Sequence, residues 1–279
     1  MNLLAIDTAN EYLSLGVSNS KQEFFYCEKI GNRQSEHIIP QIKQILNDAQ
    51  LELKDIELIA YNQGPGSFTG LRIGLSVALG LAYSIQCRLL PVPMFTLYSS
   101  ALTQQHKPNL IVTLDARLGQ IYVAAFNQAS LAYLIEPQLV NPEDLALLLS
   151  QNKSLTPNNS IITGGGMITY KDKIDHELYD GYEYMEQNYP TTQQMLAIAR
   201  SDLLERCSVF NADLLYVRNK VAMNLHEQNL NKVNKQNRKI EEAKKMLCSF
   251  EIRTKDKMIS SYENAIFNAK ESDKNSCNN

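Results

Sequence analysis

Apolar and polar positions divide the chain into successive short strands and amphipathic helices. Apolar runs, continuous or alternating, predict strands over residues 3–7, 12–17, 23–30 and 56–61. Apolar residues at helical spacing predict helices over residues 35–50, 68–86 and 95–104. We expect Ser35 to cap the first helix, and Pro40 to be tolerated only near its first turn. Pro91 and Pro93 are expected to break the chain before the third helix.

The same order of elements then repeats without a repeat of sequence. Strands are predicted over residues 110–114, 120–126, 133–140 and 160–163, and helices over residues 142–149 and 191–206. The first strand of each half ends in an aspartate, Asp7 or Asp115. This pattern predicts an α/β protein with the duplicated, two-lobed actin-like fold (ASKHA, RNase H-like) built on mixed sheets. The predicted lobes are residues 1–106 and 107–222.

The segment 223–279 differs in character from the rest of the chain, since it is rich in Asn, Lys and Gln and poor in aromatic residues. Val233, Ile240 and Leu247 are seven residues apart, but no second apolar seam accompanies them, which argues against a coiled coil. The composition predicts a poorly ordered or helical C-terminal tail.

Charge is distributed unevenly along the chain, whose net charge is −3. Residues 226–279 carry 11 Lys and Arg against 8 Asp and Glu, or +3, and the remainder carries 16 against 22, or −6. An acidic body does not grip a nucleic-acid backbone alone, so any RNA is expected to be held through a partner.

Cysteine usage and hydropathy predict a cytoplasmic protein. The five cysteines are dispersed and contain no Cys-x-x-Cys pair, which argues against disulfides and structural zinc. Asp7 interrupts the N-terminal apolar run, a poor match to a signal peptide, and no apolar run reaches the length of a membrane span.

The glycine-rich segment 64–74 allows two interpretations. It follows a predicted strand and opens a helix, as a phosphate-binding loop does, but no Gly-Lys-Ser/Thr follows and no Gly-x-Ser-x-Gly elbow is present. Ser67 or Thr69 is therefore expected to be an ordinary N-cap. Small residues recur every fourth position along the helix, a spacing that favours close approach by a partner. These residues are Gly70, Gly74, Ala78 and Ala82.

Candidate nucleotide loops lie at the strand ends, but each is degraded. The loop after Asp7 and Thr8 has no glycine, and Glu11 adds a carboxylate that repels phosphate. The loop after Asp115 carries Arg117 and Leu118 in place of a glycine turn. Gly164 and Gly165 occupy the position of an adenosine loop. An independent ATP-binding, sugar-kinase-like enzyme remains an alternative that would use Asp7 and Asp115.

A metallopeptidase is a further alternative. His37 is followed four residues later by Gln41, so this helix lacks the paired histidines of a zinc site. No catalytic residue and no metal-ligand set is predicted.

Four segments resemble the TsaB (YeaZ) family, the accessory subunits for threonylcarbamoyl modification of tRNA adenosine. They are residues 4–9 (Leu-Ala-Ile-Asp-Thr-Ala), 61–74 (Tyr-Asn-Gln-Gly-Pro-Gly-Ser-Phe-Thr-Gly-Leu-Arg-Ile-Gly), 114–122 and 216–222. Gln34, Leu79, Leu118, Gln120 and Leu214 depart from the residues that are common in the family.

The resemblance implies a subunit without catalytic activity that is needed to form t6A, the threonylcarbamoylated adenosine next to the anticodon. It implies pairing with the catalytic paralogue TsaD through helices 35–50 and 68–86, an ATPase subunit TsaE, and self-association through the same helices. It implies no intrinsic cofactor, with ATP and magnesium only at a partner interface. The expected contact residues are Arg33, Glu36, Ile39, Ile42, Gly70, Leu71, Arg72, Gly74, Leu75 and Ala78.

Overall fold

Two five-stranded mixed sheets of the same strand order form the framework of the protein. The computed structural model describes residues 1–19, 21–101, 107–186 and 192–218, all of which fall in one unit, Met1–Asn219. The predicted tail 223–279 lies outside the described residues. The duplicated actin-like fold with mixed sheets, predicted from the sequence, is confirmed.

The first sheet has the order β3-β2-β1-β4-β5. Its strands are β1 (Leu3–Asp7), β2 (Tyr12–Ser18), β3 (Glu23–Lys29), β4 (Leu58–Gly64) and β5 (Arg88–Pro93). The first three strands are antiparallel, whereas β4 and β5 run parallel to β1. Three helices connect or follow these strands: α1 (Gln34–Asp48), α2 (Phe68–Ile85) and α3 (Met94–Ala101).

The second sheet repeats this arrangement in the order β8-β7-β6-β9-β10. Its strands are β6 (Asn109–Asp115), β7 (Ile121–Asn127), β8 (Tyr133–Val140), β9 (Ser160–Thr163) and β10 (Glu183–Met185). The helices are α4 (Leu145–Gln151), α5 (Gly165–Thr169), α6 (His176–Gly181) and α7 (Thr192–Arg200), and a 3₁₀ turn, Pro142–Asp144, precedes α4. The sequence pattern did not predict β5, β10, α5 or α6.

Alternation along the second sheet assigns its two faces to different cores. On β6, Leu110 and Val112 join the large apolar core of the first sheet, whereas Ile111 between them joins a smaller core of the second half alone. This is the expected result of successive side chains pointing to opposite faces of a strand. The two halves therefore share the larger core.

Helix α7 belongs to the second half in sequence but packs on the first sheet. It contacts β1, β2, β4 and α3, and the Thr192 and Leu196 side chains fill the space above Gly16 on β2. At its last residue, Arg200 donates to Ser18 Oγ at 2.7 Å and pairs with Glu23. The helix ends six residues earlier than predicted, which leaves Leu203 half exposed.

The expectation that Pro91 and Pro93 interrupt regular secondary structure is wrong, because both lie in strand β5. The backbone N–H and carbonyl of Leu89 form hydrogen bonds with Cys207 on the outer edge of the sheet. In an extended strand, the backbone N–H positions of every second residue after Leu89 point to that same outer edge. Both prolines stand at those alternate positions, where a missing N–H costs no bond to β4. An edge strand can therefore contain both of them.

The start of α1 also differs from the prediction. The helix begins at Gln34, Arg33 is the residue before it, and no side chain caps it, so Ser35 is not the N-cap. The Gln34 side chain is buried and donates to the Asn10 carbonyl at 2.8 Å. Pro40 lies inside the helix, beyond its first turn, and faces solvent.

The small-residue ridge of α2 packs on the chain's own sheet, which corrects the expectation that it faces a partner. A Cβ atom on Gly70 would overlap the Thr8 carbonyl oxygen, and one on Gly74 would overlap Thr8 Oγ1. Ala78 and Ala82 are fully buried further along the same ridge. The spacing correctly indicated a close approach, but the neighbour is the end of β1.

This packing predicts opposite effects for two glycine substitutions in α2. Gly70→Ala is expected to lower the free energy of unfolding by about 1–3 kcal/mol, because the added Cβ must displace the Thr8 backbone. Gly80→Ala is the matched control: nothing lies within 4 Å of its Cβ position, and it should stabilise the helix by about 0.5–1 kcal/mol. Urea unfolding of both variants measures the difference, and a Gly70→Ala protein as stable as wild type would contradict the assigned packing.

Candidate functional site

The first candidate nucleotide loop is closed by bonds within the chain. The Asp7 carboxylate oxygen Oδ1 accepts the Ala9 N–H at 2.8 Å, and Thr8 Oγ1 donates to the Gly70 carbonyl at 2.7 Å. The Ser67 N–H donates to the Ala9 carbonyl at 2.6 Å. A Cβ atom on Gly66 would overlap Ala9, so the glycines of this segment admit the chain's own backbone. As predicted, Ser67 caps α2.

Asp7 is a buried carboxyl group with an incomplete set of partners. Its side chain is almost fully buried, and within the described part of the chain Oδ2 has no hydrogen-bond partner. Burial raises the pKa of Asp7 to about 6, although the Ala9 N–H and the Asn62 side chain act in the opposite direction. Burial therefore penalises the ionised form, although a carboxyl group with this pKa is still mostly ionised near neutral pH.

The second loop forms a tight turn in which three successive residues have positive φ, although only one of them is glycine. The φ angles of Arg117, Leu118 and Gly119 are 59°, 55° and 82°. Residues other than glycine adopt this region of backbone conformation only at some cost in strain. Asp115 Oδ1 accepts the Arg117 N–H and the Tyr170 hydroxyl, each at 2.7 Å. Asp115 is thus exposed and engaged locally, whereas Asp7 is buried.

Arg218 clamps the same turn from the far end of the described chain. Its Nη2 donates to the Ala116 carbonyl at 3.1 Å and to Gln120 Oε1 at 3.2 Å. These bonds join Arg218 to groups on both sides of the turn, so contacts within the chain support the strained conformation.

The third loop, after β9, resembles the first because its glycines also pack closely against the chain's own backbone. Gly164 has φ +94°, and its Cβ position would overlap the Thr113 carbonyl, while Gly166 lies against the Thr113 side chain. Gly165 is exposed with nothing within 4 Å of its Cβ position. Two of the three glycines therefore serve close packing on β6. Among the described residues, no group of three or more His, Cys, Asp or Glu could hold a metal ion.

The outer sides of α1 and α2 form a partly exposed apolar surface, called here the docking face. A groove of about 420 Å³ lies between the two helices. Its lining residues are Ser35, Ile38, Ile39, Phe68, Thr69, Arg72, Ile73, Ser76 and Val77. Ile39 is 51% exposed and Phe68 is 42% exposed, so two large apolar side chains of one groove are accessible to solvent.

The predicted contact residues divide into exposed and buried groups. Arg33, Glu36, Ile39 and Arg72 are exposed, and Leu75 is half-buried. The others are buried inside the chain and are not available to a partner in this conformation. They are Ile42, Gly70, Leu71, Gly74 and Ala78.

One cluster at the rim of the groove was not predicted. The Arg72 guanidinium lies 3.6 Å from the centre of the Phe68 ring, and its Nε donates to the Tyr216 hydroxyl at 3.3 Å. The Phe68 and Tyr216 rings are 6.5 Å apart. Tyr216 belonged to a segment that resembled the family, but its contact with α2 joins residues 144 positions apart and has no periodic signal.

Helix α2 is also the helix among the described residues whose length and composition would allow it to cross a membrane. Its mean hydropathy is 1.4. One such helix is weak support for a membrane span, and here its small-residue ridge is packed against β1 and β4.

Comparison with known proteins identifies a family. Residues 27–256 match the profile of the family described as "TsaD: tRNA N6-adenosine threonylcarbamoyltransferase". The chain is similar to the "tRNA threonylcarbamoyladenosine biosynthesis protein TsaB" of Haemophilus influenzae, with 26% identity over 79% of this chain and 95% of that protein. The protein of the same description from Escherichia coli is 29% identical over 80% of this chain and 96% of its own length.

Solved structures show the same fold. A Pseudomonas aeruginosa protein described as uncharacterized "with similarity to peptidase YEAZ" superposes with a TM-score of 0.63 and 23% identity. The match covers 78% of this chain and 99% of that one. YeaZ from the same organism gives 0.62 and 22%, covering 77% and 99%.

The environment of Asp7 predicts a pH-dependent stability. The folded-state pKa, about 6, is above the usual 3.8, so ionisation of Asp7 between about pH 4 and pH 6 weakens the fold, and the loss remains at higher pH. Asp7→Asn should therefore raise the free energy of unfolding by about 2–3 kcal/mol near neutral pH, with the gain vanishing towards about pH 4.

Urea unfolding of wild type and Asp7→Asn across this range measures the difference. Asp48→Asn, at an exposed position on α1, controls for the loss of one negative charge. A wild-type protein whose stability exceeds that of Asp7→Asn near neutral pH would show that the ionised carboxylate is stabilised rather than penalised.

Proposed function

Because the chain belongs to the TsaD-type threonylcarbamoyltransferase family, and within it to the TsaB (YeaZ) proteins, we propose that it acts in tRNA threonylcarbamoyladenosine biosynthesis. Its role is that of a non-catalytic subunit. It docks on the catalytic paralogue TsaD and stabilises the active arrangement of that enzyme, with the ATPase TsaE joining the assembly in the cytoplasm. The tRNA is held through the complex.

The docking face is the observation that carries this proposal. Ile39 and Phe68 line a groove on adjacent helices, and within the described chain they remain 51% and 42% exposed. Arg72 lines the groove, and Arg33 and Glu36 are exposed at the start of α1. Apolar residues with charged residues nearby have the character of a protein interface. The same face would also serve self-association, in competition with the paralogue.

The state of the nucleotide loops supports a non-catalytic role. Ala9 packs against Gly66 in the first loop, so the backbone there is closed by the chain itself and offers little to a nucleotide. Any ATP and magnesium would bind at the interface with a partner. Calorimetry with Mg-ATP tests this: submillimolar binding by the isolated chain, abolished by Asp7→Ala, would favour an independent ATP-binding enzyme instead.

The deciding experiment is reconstitution of tRNA modification from purified TsaD, TsaE and a threonylcarbamoyl donor, with and without this chain. We expect the modified adenosine to form only when the chain is present. Equal product in its absence would contradict the proposed role. Modification by the chain without TsaD would instead identify it as the catalyst.

A pair of matched substitutions tests the docking face. Ile39→Glu places a charge in the groove and is expected to weaken the complex with TsaD at least about tenfold, since a desolvated charge at an interface lacks a partner. Ile168→Glu on α5 is the control, because Ile168 is 53% exposed against 51% for Ile39 and lies in the other half. Affinity is measured by interferometry, and equal weakening by both substitutions would contradict the assignment.

A further inference from the structure

Residues 207–218, called here the strap, cross from the edge of the first sheet to the second half. Cys207 exchanges two backbone hydrogen bonds with Leu89 on β5. Further along, the Tyr61 hydroxyl donates to the Asp213 carbonyl at 2.8 Å, and the Leu215 N–H donates to the Gln63 carbonyl at 2.8 Å. The strap then reaches Arg218, which clamps the turn between β6 and β7.

Tyr216 is the strap residue that reaches the docking face. Its hydroxyl accepts the Arg72 Nε–H, and its ring centre lies 5.9 Å from the guanidinium, which also lies over the Phe68 ring. Arg72 is therefore restrained by two aromatic rings and one hydrogen bond at the rim of the groove. Restraint in advance lowers the entropy lost when a long side chain engages a partner.

The charge of Arg72 has no counterpart within the described chain. No carboxylate among the described residues forms an ion pair with it, whereas Lys29, Lys107 and Arg200 each have one. The bond to Tyr216 uses only Nε, so within the described part of the chain the Nη groups have no hydrogen-bond acceptor. Planar guanidinium groups bind carboxylates through two parallel hydrogen bonds, and the apolar walls of the groove strengthen such a pair.

Stability alone does not account for this cluster. Phe68 and Tyr216 are 42% and 47% exposed, and exposed cation–π contacts contribute only about 0.5–1 kcal/mol. The strap is already fixed on both sides of Tyr216, by Leu215 at β4 and by Arg218 at the second half. The contact of Tyr216 with Arg72 therefore adds little to the stability of the fold.

We propose that Tyr216 is a positioning residue for partner docking: it holds the Arg72 guanidinium at the rim of the groove, where Arg72 receives a carboxylate of the partner protein. This inference rests on the proposed docking of TsaD. Because Tyr216 acts through Arg72, its contribution to affinity depends on the presence of the guanidinium.

A double-mutant cycle tests this dependence. Tyr216→Ala is expected to weaken binding to TsaD about tenfold, and Tyr216→Phe about two- to threefold, because Phe keeps the ring and loses the hydroxyl. In an Arg72→Met background, Tyr216→Ala should cause no further loss. The salt dependence of the affinity should fall in Arg72→Met and, to a smaller extent, in Tyr216→Ala.

Phe210→Ala is the matched control, since Phe210 is an aromatic residue of the same strap that is 85% exposed. Its affinity should equal that of wild type, and thermal unfolding should show all variants folded. Equal losses from Tyr216→Ala in both backgrounds, or no loss in either, would overturn the positioning role while leaving docking intact. A wild-type chain that does not bind TsaD would instead overturn the proposed function, and this inference with it.

Discussion

The contact between the end of β1 and the start of α2 determines which surface the first half presents. Gly70 and Gly74 have no Cβ, so the helix rests directly on the Thr8 backbone, and Thr8 Oγ1 bonds the Gly70 carbonyl. The contact of Gly70 and Gly74 with Thr8 fixes the rotation of α2 about its axis. Once the small ridge points inward, Phe68, Arg72 and Ile73 point towards α1 and form the groove. The docking face is thus a consequence of internal packing.

The second half uses the same device with a different outcome. Thr113, near the end of β6, approaches Gly164 and Gly166 as Thr8 approaches Gly70 and Gly74. The helix that follows, α5, has five residues against eighteen in α2. The two halves therefore share the strand order and the close approach. Among the described residues, the long helix with an exposed apolar side belongs to the first half.

Much of the fold was predictable from local patterns, and the errors have identifiable physical causes. The strands predicted over residues 3–7 and 160–163 match β1 and β9 with their observed bounds. Strand β5 was missed because Pro91 and Pro93 are acceptable only at an edge, and edge position is a property of the whole sheet. Small-residue spacing revealed a close contact without revealing the neighbour. The Arg72–Tyr216 cluster joins distant segments, so no local pattern could predict it.

The placement of α7 and the strap has a consequence for synthesis on the ribosome. Both belong to the last third of the described chain, yet they complete the covering of β1, β2 and the edge of β5. When the first half emerges from the ribosome, its sheet lacks this cover until about residue 218 has been made. Such long-range closure slows folding and leaves apolar surface exposed during translation, a period in which chaperones and neighbouring chains compete for the nascent protein.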